Sequence, residues 1–349
     1  MASSRSAQLE AEGIESVGFA RDDEAVWINQ EFSVKSAPIL PRRWTIADIA
    51  DQSGKAAVVT GANSGLGLRT AEALASKGAH VLLACRNPQK AATALDAVTA
   101  VATGPKPEVL QLDLAELASV RRAAAQLNDT VGRIDLLINN AGVMAVPRSR
   151  TADGFDAQFG TNHLGHFAFT GGVLPALLRA DQPRVVTVSS VAAWVGVINW
   201  LDPNWQRMYL RWPAYSQSKL ANLLFTAELE RRARVAGSEL RAVAAHPGVS
   251  ATHLYDRNGE QGVNAILAAI PQAILFALAQ SDRMGALPQL YAATVPEIRG
   301  NSYVGPGFEL AGYPRRTLRN PLAYRRSTAR KLWELSERLT GVRYDFSVI

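Results

Sequence analysis

Cysteine is almost absent from this 349-residue sequence, Cys85 being the single one. One thiol excludes an intramolecular disulfide and any zinc site built on two or more cysteines. It also fits a reducing compartment, so a cytoplasmic location is expected. Charge is sparse as well, at 19% of residues, whereas apolar residues reach 48%. That balance excludes a chain disordered throughout and supports a sizeable core. Long apolar runs are missing. The longest, Ile266 to Ala279, is broken by Pro271 and Gln272 and falls short of the about 20 residues of a bilayer span. The opening MASSRSAQLEAEGIES has no apolar h-region, so no secretory signal is expected. No internal repeat is evident.

The net charge of +6 is concentrated late in the chain. Pro314 to Ile349 holds nine Arg or Lys against three Asp or Glu. This segment reads as a basic tail with a solvated helix, able to attract anionic surfaces. No zinc-finger, RNA-recognition or bZIP pattern is present, so a nucleic-acid partner is not expected. The pattern leaves room for a peripheral membrane contact through a 264–280 helix and the tail, and for a homo-oligomer.

Residues 1–43 lack a sustained period and are expected to form a partly disordered extension. Beyond them the texture changes. Ala56 to Thr60 is a short apolar run stopped by Gly61, as a buried parallel strand requires. A helix is predicted over Leu66 to Lys77, closed by Gly78. Further strands are predicted at His80–Cys85, Glu108–Leu112, Ile134–Ile138, Arg184–Val188 and Leu240–Ala245. Helices are predicted at Gln89–Ala102, Leu114–Leu127, around Phe155–Leu178, and at Ala214–Ala236. This alternation predicts an α/β fold with a doubly wound parallel sheet. The domain is expected to span 44–310, followed by the tail at 311–349.

The first strand runs into Gly61-Ala62-Asn63-Ser64-Gly65-Leu66-Gly67 and then a helix. Glycines there permit a tight turn and let backbone N–H groups approach a pyrophosphate, with the helix N-terminus adding its positive end. The spacing is G-x-x-x-G-x-G. About 20 residues further on, an NAD site usually offers a carboxylate. That acid is missing here: the place falls at Cys85, with Arg86 next and Lys90 four further on. A cation there suits the 2′-phosphate of NADP(H).

Tyr215-Ser216-Gln217-Ser218-Lys219 lies on a predicted helix, where an i, i+4 pair shares one face. A free phenol near pKa 10 is a poor base at neutral pH, and a nearby ammonium favours its ionised form. Asn139-Asn140-Ala141-Gly142 ends the fourth strand and Ser189-Ser190 the fifth. With the Gly-rich first turn, these motifs resemble the short-chain dehydrogenase/reductase family from about Trp44 to Gly307. TGANSGLG, LACRN, TNHLGHF, VSS, YSQSKLAN and HPGVSAT are most similar to the branch of retinol dehydrogenases, WW-domain oxidoreductase and protochlorophyllide reductase.

The resemblance implies an NADP(H)-dependent carbonyl reductase or alcohol dehydrogenase. Tyr215 would be the general acid or base and Ser190 would bond the substrate oxygen. Lys219 would bind the nicotinamide ribose and lower the Tyr215 pKa, and Asn162 would hold a water linked to Lys219. Asp113, with Leu114 beside it, would lie at the adenine. Asn140, Ala141 and Gly142 would lie at the adenosine ribose. Pro247, Gly248, Val249 and Thr252 would sit beside the nicotinamide amide. The segment 191–212 is a long insert before Tyr215 that carries Trp194, Trp200, Trp205 and Trp212. Large rings beside the catalytic Tyr imply a bulky apolar carbonyl or alcohol. A lid is expected at 253–285. The alternatives are a catalytically silent dinucleotide-binding regulator and a C=C reductase of the protochlorophyllide reductase type. His163 and His166 are read as structural rather than metal-binding, and no metal is expected. Cys85 is read as a small buried hydrophobe.

Overall fold

The computed structural model describes residues 43–248 and 281–347. The expected extension up to residue 42, the 264–280 helix, and the positions Val249 and Thr252 lie outside them. The described residues form one eight-stranded sheet in the order β3-β2-β1-β4-β5-β6-β7-β8. The first six strands are Ala56–Thr60, His80–Cys85, Glu108–Gln111, Leu136–Asn139, Arg184–Val188 and Arg241–Ala245. β1, β4 and β5 are buried along their whole length, which is why they read as continuous apolar runs rather than alternating ones. All these strands pair in parallel. The strand order reverses between β1 and β4, so a crevice opens beyond their carboxyl ends, the usual ligand position in such sheets.

β7 (Tyr303–Pro306) pairs parallel to β6, and β8 (Pro314–Arg316) pairs antiparallel to β7. The sheet therefore continues past residue 310, where the sequence placed the end of the domain. These two strands are short and carry Gly305, Pro306 and Pro314, so neither has the alternation or apolar run that marks a strand.

Helices cover both faces. α1 (Gly65–Ala75), α2 (Pro88–Thr99) and α3 (Leu117–Thr130) follow the first three strands. α4 (Gly165–Gly172) and α5 (Leu174–Leu178) precede β5, α6 (Arg211–Val235) precedes β6, and α7 (Asp282–Thr294) precedes β7. The tail helix is α8 (Arg326–Thr340). One core layer joins Ala71 and Leu74 of α1 to Leu287 and Leu290 of α7 over Val59, Val186 and Val243. The opposite layer joins Val120, Phe167, Phe225 and Leu229 over Val58, Leu137 and Val185. Residues 281–285, expected in a lid, are the Ser281 cap and first turn of α7.

The single long helix predicted around Phe155–Leu178 is broken. A turn at Ala157–Phe159, capped by Asp156, leads into a π turn at Gly160–Leu164 and only then into α4 and α5. Gly171-Gly172 and Pro175 interrupt the later part, as such residues do. α6 begins at Arg211, ahead of the predicted Ala214, because Pro213 falls in its first turn, where a missing N–H costs nothing.

The tail helix is not solvated. Ala329, Leu332, Trp333, Ser336 and Thr340 form a buried stripe at helical spacing, while its exposed face carries Arg330, Lys331 and Glu334. The stripe docks against α6 and α4, and Trp333 stacks on Phe225 with ring centroids 5.8 Å apart. The cations Arg330 and Lys331 belong to the outer face of this helix.

Candidate active site

β1 ends at Thr60, and the chain turns through Gly61 at φ +67°, a conformation that glycine adopts without a Cβ penalty. Gly67 faces the backbone of that turn. A Cβ on Gly67 would collide with the Gly61 carbonyl and lie 2.6 Å from Asn140 Nδ2. The Gly-rich turn, the start of α1 and the β4 end are thus packed too closely for any side chain. Ser64 caps α1 without a side-chain hydrogen bond to the first-turn N–H groups, and these are the donors a phosphate takes.

The β4 end is strapped to β1. The Asn140 and Ala141 N–H groups both donate to Thr60 Oγ1, at 2.9 and 3.0 Å, and Asn140 Nδ2 donates to the Thr60 carbonyl at 2.8 Å. Gln289 on α7 donates to Asn140 Oδ1 at 3.3 Å and to Thr70 Oγ1 on α1. Above these turns lies a cavity of about 540 Å³. Of the residues named from the sequence, its wall contains Gly61, Asn63, Ser64, Gly65, Leu66, Gly67, Arg86, Asp113, Leu114, Asn140, Ala141, Gly142, Ser190, Tyr215, Lys219, Pro247 and Gly248.

Two named residues stand elsewhere. Lys90 is exposed in the first turn of α2, where its N–H donates to Asn87 Oδ1 at 2.8 Å, and it is absent from the wall. The Asn87 cap and Pro88 start α2 immediately after Arg86, which places Lys90 on the first turn of that helix. Asn162 is buried behind the wall in the π turn. Its Oδ1 accepts from Val143 N–H at 2.8 Å, and its Nδ2 donates to the Val143 carbonyl and Ser218 Oγ, both at 2.9 Å. Its carboxamide is therefore a clamp between the β4 loop and α6.

Tyr215 and Lys219 occupy successive turns of α6, and both are buried. Lys219 Nζ lies 5.8 Å from the Tyr215 ring centroid and donates to the Val188 carbonyl at 3.2 Å. Ser189 Oγ donates to the Lys219 carbonyl at 2.7 Å, tying α6 to the end of β5. Burial pushes the Lys219 ammonium down to about 8. Burial pushes the Tyr215 phenol up to about 12, opposed by a hydrogen bond with Ser190. The expected fall in the Tyr215 pKa is thus not produced by the protein's own groups: desolvation outweighs them. At neutral pH the phenol holds its proton.

The wall also includes the apolar Val143, Met144, Val191, Ala192 and Trp212. Only Trp212 of the four insert tryptophans reaches the wall, with its ring centroid 6.0 Å from that of Tyr215. Trp205 is buried, Trp194 is 40% exposed, and Trp200 lies under Lys331 Nζ at 4.3 Å. Most of the insert packs away from the site. Val143 and Met144 escaped the sequence reading because apolar residues after a strand look like core. Their position directly behind Asn140-Ala141-Gly142 was the available signal.

Cys85 is buried, and burial pushes its thiol up to about 11, which leaves it unreactive. Among the described residues no group of three His, Cys, Asp or Glu is placed to hold a metal ion. Nor, among them, is any helix long and apolar enough to cross a membrane.

A doubly wound sheet with a Gly-rich first turn and a Ser-Tyr-Lys set on one cavity defines a dinucleotide-dependent oxidoreductase fold. The short chain dehydrogenase family profile matches residues 55–262, and the chain belongs to that family. It is 40% identical to human retinol dehydrogenase 13 over 290 residues, 83% of this chain and 85% of that protein. It is 38% identical to mouse retinol dehydrogenase 14 over 303 residues, 83% and 86% of the two chains. Among solved structures, an uncharacterised protein from Mycobacterium paratuberculosis superimposes with a TM-score of 0.72 at 44% identity, covering 87% of this chain and 99% of that one. The family uses a nicotinamide dinucleotide. The Gly67 cradle, the uncapped α1 N-terminus and the shared cavity fit that group.

Proposed function

We propose that the protein is an NADP(H)-preferring oxidoreductase that interconverts a bulky apolar carbonyl compound and its alcohol. The observation that carries this reading is one cavity whose wall includes the Gly61–Gly67 turn, Arg86, Ser190, Tyr215 and Lys219 together. When bound, the nicotinamide dinucleotide supplies the hydride for reduction or accepts it in oxidation. Gly61 to Gly67 and the start of α1 would hold its pyrophosphate, and Arg86 its 2′-phosphate. Lys219 would hold the nicotinamide ribose, with Pro247 and Gly248 at the amide.

Ser190 orients the substrate oxygen by a hydrogen bond. In reduction Tyr215 Oη donates its proton to that oxygen as the carbon accepts the hydride. In oxidation the phenolate takes the hydroxyl proton. A phenol near 12 is fully protonated at neutral pH, so the donor form needed for reduction is present and the phenolate needed for oxidation is scarce. The reverse direction therefore depends on nearby positive charge, from the Lys219 ammonium and the oxidised cofactor, to favour the phenolate. Met144, Val191, Ala192 and Trp212 would pack the apolar body of the substrate, and the retinol-named relatives make long apolar aldehydes and alcohols the first compounds to try.

Two measurements test this reading. NADPH oxidation is followed with aldehydes, ketones, steroids and retinoids, scoring carbonyl loss separately from C=C loss. Carbonyl loss is expected. NADPH binding without any turnover would favour a silent regulator, and C=C loss a protochlorophyllide reductase-like reaction. In the second, NADPH should bind about 10–150-fold more tightly than NADH, as one charge-assisted hydrogen bond allows, and Arg86→Ala should remove most of that preference. Equal dissociation constants in the unmodified protein would exclude the role of Arg86.

A further inference from the structure

His166 sits one turn beyond Asn162, fully buried, and its two ring nitrogens reach opposite parts of the site. Nε2 lies 2.9 Å from Thr60 Oγ1 at the end of β1, and Nδ1 lies 3.0 Å from the Asn162 carbonyl in the π turn. Counting protons fixes the tautomer. A hydroxyl has two acceptor lone pairs and one proton. Both acceptor sites of Thr60 Oγ1 are taken, by the Asn140 and Ala141 N–H groups. Its proton has two acceptors in reach, His166 Nε2 at 2.9 Å and the Ile138 carbonyl at 3.3 Å. A proton on Nε2 would bring a third donor to an oxygen with no lone pair left. Nε2 therefore accepts, and the ring proton resides on Nδ1. The other side gives the same answer independently, because the Asn162 carbonyl can only accept. Burial pushes the imidazole down to about 4, so the ring is neutral at working pH, with one nitrogen of each kind.

We propose that His166 is a positioning residue of this enzyme, fastening the Thr60 turn that cradles the dinucleotide to the π turn that carries Asn162. The proposal rests on the reading of the cavity as a dinucleotide-dependent redox site. Through Thr60, His166 orients the Asn140-Ala141 backbone beside the Gly-rich turn. Through its backbone bond it fixes the helix break from which Asn162 clamps Val143 and Ser218, the latter adjacent to Lys219. A ring with a different proton arrangement, or an amide offering one bond only, would support one side and release the other.

The test uses paired substitutions with the intact chain. His166→Gln places an amide oxygen where Nε2 stood and keeps the Thr60 bond. His166→Asn places an amide nitrogen where Nδ1 stood and keeps the Asn162 bond. NADPH affinity is read by fluorescence titration and turnover at saturating NADPH with a substrate from the panel. His166→Gln should keep the NADPH dissociation constant within about twofold and lose about 5–100-fold in kcat, the range for a buried group left unpaired. His166→Asn should show the reverse, a weakened NADPH constant and a largely retained kcat. His163→Gln is the control. His163 belongs to the same π turn and is equally buried, but its side chain pairs with Ser336 Oγ on α8 at 2.8 Å and bonds neither Thr60 nor the Asn162 carbonyl, so its loss should lower Tm and leave both parameters alone. In parallel, ¹⁵N NMR of the histidine-labelled protein should show Nδ1 protonated and Nε2 bare for His166 between pH 6 and 8. A protonated Nε2 overturns the proposal. So does a Gln/Asn pair that shifts both parameters together in proportion to Tm. If the unmodified protein binds NADPH but reduces nothing in the panel, the activity reading fails by itself, and the NADPH constants and the NMR tautomer still decide on His166.

Discussion

Tyr215→Phe is expected to lower turnover by about 10²–10⁴-fold, the usual contribution of a positioned acid or base, with NADPH affinity nearly unchanged. The ring stays, and so do its edge contact with Trp212 and its place in the wall. Only the hydroxyl that bonds Ser190 is removed. For alcohol oxidation the rate should rise with pH, because the phenol must give up its proton first. Burial sets that phenol near 12, so the positive charges around the bound complex must bring the apparent value down toward the working range. The observed ionisation will belong to Tyr215 and Lys219 as a pair, and it should vanish in the Phe variant. Lys219→Ala should reduce both turnover and NADPH affinity, since it is assigned ribose contacts besides its charge. Full activity of Tyr215→Phe on a proven substrate would remove the phenol from the chemistry.

The second large effect is on stability. Trp333→Ala should destabilise the protein by about 3–5 kcal/mol, the range for emptying a buried aromatic site. Trp333 is 1% exposed. It meets Phe167 edge-on at 5.0 Å, Tyr344 at 4.5 Å and the Arg232 guanidinium at 4.5 Å, and its Nε1 donates to Glu337 at 2.9 Å. Urea unfolding followed by circular dichroism measures the loss. Trp333→Phe should cost less, because much of the ring contact survives. A loss below about 1 kcal/mol for Trp333→Ala, outside the range of buried aromatic deletions, would mean that α8 contributes little to the core.

Much of the site was legible because its constraints are local. The Gly61–Gly67 turn, Asn140-Ala141-Gly142, Ser190 and the Tyr215–Lys219 spacing each lie at a strand end or on one helix face, where a few residues declare a geometry. Five of the six leading strands were visible for the same reason, as mostly buried runs between breakers, and β3, with one buried residue in four, through its place in the alternation. The parts that escaped depend on distant partners. β8 exists because β7 offers an edge, and neither strand has a pattern of its own. The stripe on α8 was hidden behind a count of its cations. The exposed place of Lys90 was not legible, because sequence distance from Arg86 ignores the Asn87 cap that starts α2 between them. The upward push that burial gives the Tyr215 phenol was not legible, because burial is a tertiary quantity. A neighbouring ammonium is visible in a sequence, but desolvation is not.

The π turn at Gly160–Leu164 has a consequence for chain length. Its closing bond runs from Gly165 N–H to the Gly160 carbonyl, one residue further than an α-helical bond reaches. Each residue of an α-helix advances the side-chain direction by about 100°, so the turn acts as a phase shift between its N-terminal and C-terminal flanks. Removing a single residue from this stretch would restore ordinary helical bonding and rotate one flank against the other by about that angle. Asn162 would then be expected to leave the Val143 backbone, or His166 to leave Thr60, since both contacts are made with the shift in place. The segment can tolerate changes of composition more readily than a change of one in its count.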